Sequence, residues 1–234
     1  MKTTTTWALL ALTALTLTAC GGGDGGSPSG NGGPPALVVD ADGVSSFDST
    51  VLGVTLAALP IETLSEAEKS TLAYMREEEK LAHDVYAQLN VRWGGTTRVF
   101  GNISASEATH TEAVRQLLLR YNQPDPTATL AAGIYQSTVL QGLYTQLVAA
   151  GTLSLVDALK VGAAIEEIDM VDINAALVNV DNQDIRLAYD NLLKGSRNHL
   201  RSFVKTLLNQ GVTYVPQYMN PADYAAIVSS ANER

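Results

Sequence analysis

The chain has 234 residues, 46% of them hydrophobic, with 24 acidic against 15 basic side chains and a net charge of −9. That length and apolar content suit one sizeable globular domain with additional segments, and the acidic balance argues against a nucleic-acid partner, which needs a basic surface. The single cysteine, Cys20, excludes an internal disulfide, a zinc–thiolate cluster and a catalytic thiol.

The chain opens with Lys2 and an apolar run from Trp7 to Leu17. The run is shorter than the roughly 20 apolar residues a membrane-spanning helix needs, and suits the core of a signal peptide over residues 1–19. Leu17-Thr18-Ala19-Cys20 looks like a lipobox, so Cys20 is the expected lipidation site and a lipid membrane the expected partner. The corresponding location is the bacterial cell envelope, anchored to the outer or plasma membrane, with the domain facing the periplasm or the exterior. Removing residues 1–19 leaves 14 basic against 24 acidic residues. Residues 20–61 read as the lipidated cysteine and a flexible tether, because Gly21 to Pro35 is a low-complexity Gly/Ser/Pro tract with nothing to pack. Ala36 to Pro60 holds β-branched runs such as LVV and STVLGVTL, and reads as irregular with a short extended piece.

From Ser65 the pattern is helical. Ser65 and Glu68 form a capping box that opens a first long helix to about Val91, stopped by Gly94 and Gly95. Its inward stripe is Leu72, Met75, Glu79, Ala82, Tyr86 and Leu89, with Glu77 and Glu78 off it and His83 expected at the surface. The second helix, Phe100 to Tyr121, carries the stripe Ile103, Glu107, His110, Val114, Leu117 and Tyr121 and ends at Asn122 and Pro124. A shorter helix around 138–150 serves as a crossover or cap. Ser154 caps a third long helix with the stripe Leu155, Leu159, Gly162, Glu166, Asp169, Ile173 and Leu177. The fourth, from about Gln183 to Gln210, carries Ile185, Tyr189, Leu192, Ser196, His199, Phe203 and Leu207. Gly195 in its middle costs roughly 1 kcal/mol relative to alanine, which points to a packing or site reason. A short helix near 222–228 ends the chain.

Glu79, Glu107, His110, Glu166, Asp169 and His199 therefore stand on stripes where apolar side chains belong. Burying an unpaired carboxylate costs on the order of several kcal/mol, so such groups need a cation, a proton or hydrogen-bond partners. Carboxylates and imidazoles gathered from four helices are the donor set of di-iron and di-manganese carboxylate bundles, in which two helices each give a glutamate and the other two each give Glu-x-x-His.

YMREEEKLAHDVY (74–86), FGNISASEATH (100–110), ALKVGAAIEEIDMVDI (158–173), GSRNHLRSF (195–203) and YVPQY (214–218) resemble a prokaryotic domain-of-unknown-function family of the ferritin-like superfamily, over residues 62–230. The resemblance implies an all-α, ferritin-like four-helix bundle with a short crossover helix and a C-terminal extension. It implies no established reaction. Set against ferritin-like proteins such as rubrerythrin, Glu79 falls at the first-helix glutamate, and Glu107 with His110 at the second-helix pair. Glu166 falls at the third, with Glu167 as a fallback and Asp169 as an additional or exchanging ligand. The departure is Ser196, which stands where a glutamate would complete Glu-x-x-His with His199; Asp169 compensates, or the site holds one metal, or none. The expected cofactor is iron or manganese, one or two ions. The expected activity is oxidase, peroxidase or ferroxidase-type chemistry by a di-metal carboxylate oxidoreductase with no residue assigned as catalytic. The alternative is a non-catalytic helical lipoprotein with a structural or partner-binding role.

Overall fold

The computed structural model describes residues 36–39 and 45–233. The expected signal peptide, the expected lipidation site Cys20 and the Gly21–Pro35 tract lie outside these residues. The described chain runs β1 (Leu37–Val39), β2 (Ser45–Phe47), α1 (Ser49–Ala57), α2 (Glu66–Trp93), α3 (Val99–Arg120), α4 (Thr138–Gly151), α5 (Leu155–Leu177), α6 (Gln183–Asn209) and α7 (Pro221–Ser229). The all-α expectation holds, and the only sheet among the described residues is the antiparallel pair β1–β2 with Leu37 opposite Phe47. No described helix is long and apolar enough to cross a membrane.

Local signals set the helix ends. The Ser65 hydroxyl accepts from the Glu68 amide and the Glu68 carboxylate accepts from the Ser65 amide, a reciprocal cap worth about 1 kcal/mol. Ser154 caps α5 through the Asp157 amide. Asn122, at φ 50°, turns the chain out of α3.

The four long helices form a ring of neighbours: α2 lies against α3, α3 against α6, α6 against α5, and α5 against α2. The stripe positions face the middle of that ring, where Leu72, Tyr86, Ile103, Leu159, Tyr189 and Phe203 are fully buried. Gly162 admits the Phe203 ring, since a Cβ there would lie 2.4 Å from its edge. α4 bridges α2 and α5.

The fan of charges around α2 holds the connection between α3 and α4. Arg76 donates to Asp125 and to the Thr111 carbonyl. Glu77 accepts from the amides of Gln136 and Ser137, and Asp84 accepts from the Gly133 amide and the Tyr135 hydroxyl. Consecutive helix positions turn by about 100°, so Glu77, Glu78 and Glu79 leave α2 in three directions. All three are buried, not Glu79 alone as the stripe implied.

Two expectations are corrected. Residues 36–39 and 45–57 are not tether: Leu37, Phe47, Leu52 and Leu56 are buried in the same core, because β2 and α1 carry enough apolar surface to dock on α3 and β1 pairs with β2. His83 is not a surface histidine; it is half-buried, with Nδ1 2.8 Å from the Ser104 carbonyl of α3.

Candidate metal centre

The i, i+3 spacing on α3 sets the centre. Glu107 and His110 share one face, and Glu107 Oε2 lies 2.8 Å from His110 Nδ1. The other oxygen, Oε1, lies 2.8 Å from Nδ1 of His199 on α6. One carboxylate thus stands between two imidazoles whose rings stack at 5.2 Å and 17°. Each imidazole meets a second carboxylate from the remaining helices: Glu79 Oε2 is 3.5 Å from His110 Nδ1, and Glu166 Oε2 is 3.6 Å from His199 Nδ1. The site has two lobes related through Glu107. The donor atoms of Glu107, His110 and His199 lie within 4.8 Å of one another, as a metal site requires.

These groups are sealed from water. Glu107, Glu166 and His199 are 0% exposed. Despite the short contacts, Glu79 Oε2, both Glu107 oxygens, Glu166 Oε2 and His199 Nδ1 have no aligned hydrogen-bond partner. Buried polar atoms are ordinarily satisfied, so five inward-facing orphans in one place fit a centre whose partner is a cation. Oxygen and imidazole nitrogen are donors that iron, manganese and zinc accept.

The surroundings orient the donors. His199 Nε2 sits 2.9 Å from the Ser106 hydroxyl and 3.3 Å from the Ser45 carbonyl. A carbonyl only accepts, so it favours the tautomer with the proton on Nε2 and leaves the Nδ1 lone pair facing the carboxylates. Tyr86 donates to Glu166 Oε1 at 2.6 Å and fixes that carboxylate. Phe47 of β2 meets the His110 ring edge-on at 5.5 Å. Gly195 also lies against that ring, where a Cβ would stand 2.5 Å from His110 Cε1; this is the site reason for a glycine in mid-helix.

Charge balance decides the protonation. Burial pushes Glu107 up, but the His110 and His199 imidazoliums prevail and hold it well below the usual carboxylate range. Burial pulls both histidines down, and Glu107 outweighs it; His110 ends well above its ordinary value and His199 rises to about 9. Burial dominates at Glu79, pushed up to about 7, and at Glu166, also raised. Without a cation the cluster therefore holds protons that a cation would displace.

Of the residues picked from the sequence, Glu79, Glu107, His110, Glu166 and His199 come together. Asp169 is buried on α5 yet makes no ion-pair contact with either histidine. Glu167, the fallback, points away: its Oε2 accepts from the amides of Gln217, Tyr218 and Met219 and anchors the YVPQY segment. The Ser196 hydroxyl donates to the Leu192 carbonyl one turn back. Tyr121 and Tyr189 donate to Asp184 and Thr71, away from the centre.

Sequence reasoning missed Ser45, Phe47 and Ser106. Ser106 is off the stripe although it precedes Glu107, and nothing local ties Ser45 to a histidine 154 positions later. The polar residues around His199 complete that closure. Asn198 donates to the Ser45 hydroxyl and to the Glu233 carbonyl, while Arg197 and Arg201 pair with the Glu233 carboxylate.

Residues 68–231 match a family described as an uncharacterized protein domain, DUF2202. The chain is similar to the uncharacterized protein MJ0754 of Methanocaldococcus jannaschii, 47% identical over 179 residues that cover 76% of this chain and 96% of that protein. It is also similar to the crystal structure of hypothetical protein MJ0754 from Methanococcus jannaschii. That match has a TM-score of 0.72 at 47% identity and covers 75% of this chain and 99% of the other.

Proposed function

The chain belongs to the DUF2202 family, and on that premise we propose that it is a metal-binding protein of ferritin-like four-helix design. Its centre is built from Glu79, Glu107, His110, Glu166 and His199. The carrying observation is the set of five buried donor atoms, drawn from all four long helices and none hydrogen-bonded, that face one another. When bound, one or two ions of iron or manganese would supply redox chemistry of the oxidase, peroxidase or ferroxidase kind.

The chain's own groups have distinct tasks. Glu107 offers one oxygen to each lobe. His110 and His199 present Nδ1, and Ser45 with Ser106 keeps the His199 proton at Nε2. Glu79 and Glu166 close the oxygen side, the latter oriented by Tyr86. Phe47 and the surrounding apolar side chains exclude water, which strengthens every electrostatic contact inside. With serine at 196, Glu107 is the one carboxylate that touches both histidines.

Metal analysis of the untagged full-length protein tests this reading. About one to two equivalents of a transition metal are expected, falling sharply in Glu107→Ala. Fewer than about 0.2 equivalents in both proteins would refute it.

A second reading is favoured by the two 2.8 Å contacts of Glu107, which also suit a metal-free cluster of protonated histidines around one carboxylate. It predicts that chelators leave the melting temperature unchanged and that Glu107→Gln is tolerated. The proposal extends to an envelope-anchored protein lipidated at Cys20, motivated by the Leu17–Cys20 motif. Fatty-acid labelling that persists in Cys20→Ala would contradict it.

A further inference from the structure

We propose that Glu78, Asp169 and Asp172 form a transit site for a divalent cation, leading from the surface of α5 to the buried centre. This rests on the metal-binding reading above.

The route is written in helical geometry. Glu166, Asp169 and Asp172 follow one another at three-residue steps along α5, each step rising about 4.5 Å and rotating about 60° around the axis. That drift carries the file from the interior outward: Glu166 is 0% exposed, Asp169 is 3% exposed, and Asp172 is half-buried. Across from them, Glu78 leaves α2 one position before Glu79. Glu78 follows Tyr74 by one turn of α2, and the Tyr74 hydroxyl reaches Asp172, which sets this face of α2 against the carboxylate file of α5. At the outer end, Tyr74 donates to Asp172 Oδ2 at 3.1 Å and holds it in place.

Lack of anchorage separates Glu78 and Asp169 from the other buried carboxylates. Glu68, Glu77 and Glu167 each accept backbone amides, Asp84 has Lys80 and Tyr135, and Asp184 has Arg120 and Tyr121. Glu78 is 2% exposed and neither of its oxygens has a hydrogen-bond partner. Among the described residues no lysine, arginine or histidine pairs with Glu78, Asp169 or Asp172. Among the described residues, the buried carboxylates with an unpartnered oxygen are Glu79, Glu107 and Glu166 of the centre, Glu78 beside it, and Glu167, whose other oxygen is held by three backbone amides. A centre sealed in the core needs such an entry path, and oxygen-only ligands suit a passing hard cation while the imidazoles inside retain it.

The test is stopped-flow uptake of Co(II) by metal-free full-length protein, read by the visible absorbance of the bound ion. Asp172→Asn, Asp169→Asn and Glu78→Gln are each expected to slow uptake by about tenfold, the scale of electrostatic focusing in a charged cleft. Final stoichiometry and spectrum should stay unchanged. Glu77→Gln, the same carboxylate-to-amide change at the neighbouring position, where the carboxylate is committed to the 136–137 amides, should leave the rate unchanged. Unaltered rates in the three variants, or equal slowing in Glu77→Gln, would overturn the transit site. So would loss of bound Co(II) at the end-point, which would make these residues resident ligands. Asp172 is half-buried, so its variant keeps the test decisive if the buried ones fold poorly. No Co(II) spectrum in the unsubstituted protein would instead remove the centre, and the path with it.

Discussion

Replacing Gly195 by alanine sets two effects of comparable size against each other. In a helix interior the change gains about 1 kcal/mol of propensity. At Gly195 the new methyl would stand 2.5 Å from Cε1 and 2.8 Å from Nε2 of His110, about 1 Å inside ordinary contact. The ring has no room to retreat, with His199 stacked on it and Phe47 at its edge. Overpacking of this kind costs about 1–3 kcal/mol, so the expected net is a loss of about 1 kcal/mol. Gly142, in α4, provides the matched control, because nothing lies within 4 Å of its would-be Cβ; there the gain of about 1 kcal/mol should appear undiminished. The two variants should differ by about 2 kcal/mol, or about 1 M in urea midpoint at a slope near 2 kcal/mol/M. Displacing His110 should also weaken metal binding by about tenfold or more, while Gly142→Ala leaves it alone. Equal stability of the two variants, with equal metal affinity, would refute the packing argument around His110.

Two further outcomes follow from the site. Glu79 at about 7, His199 at about 9 and His110 above its ordinary value all hold protons near neutrality. Metal affinity should therefore rise between pH 6 and 8 by about tenfold per unit for each proton released; a pH-independent Co(II) titration contradicts this. The same raised values mean that the histidine contribution to the metal-free fold is complete below the unfolded value near 6.5 and is lost as pH rises through about 9. Glu167→Gln should cost about 1–3 kcal/mol by weakening acceptance of the Gln217–Met219 amides. Amide exchange should speed up at those residues with metal affinity unchanged, and a drop in affinity would restore Glu167 as a ligand.

The sequence by itself determined the four long helices and the main inward stripe along each of them, though not α1. Period and capping are local: Ser65 with Glu68 opens α2 where the pattern begins, and the stripe residues of α6 from Ile185 to Leu207 are all buried. It also singled out Glu79, Glu107, His110, Glu166 and His199, because a charged group at an apolar period is visible without coordinates. Only the tertiary structure decided which of two adjacent glutamates on α5 reaches His199 and which anchors Gln217–Met219, since a 100° turn of the helix separates opposite fates. It alone brought residues 45–47 over the histidines, and split Glu77, Glu78 and Glu79 among a loop, a neighbouring helix and the centre. Periodicity along one element records that a face is buried, whereas the partner on that face comes from how the other elements close upon it.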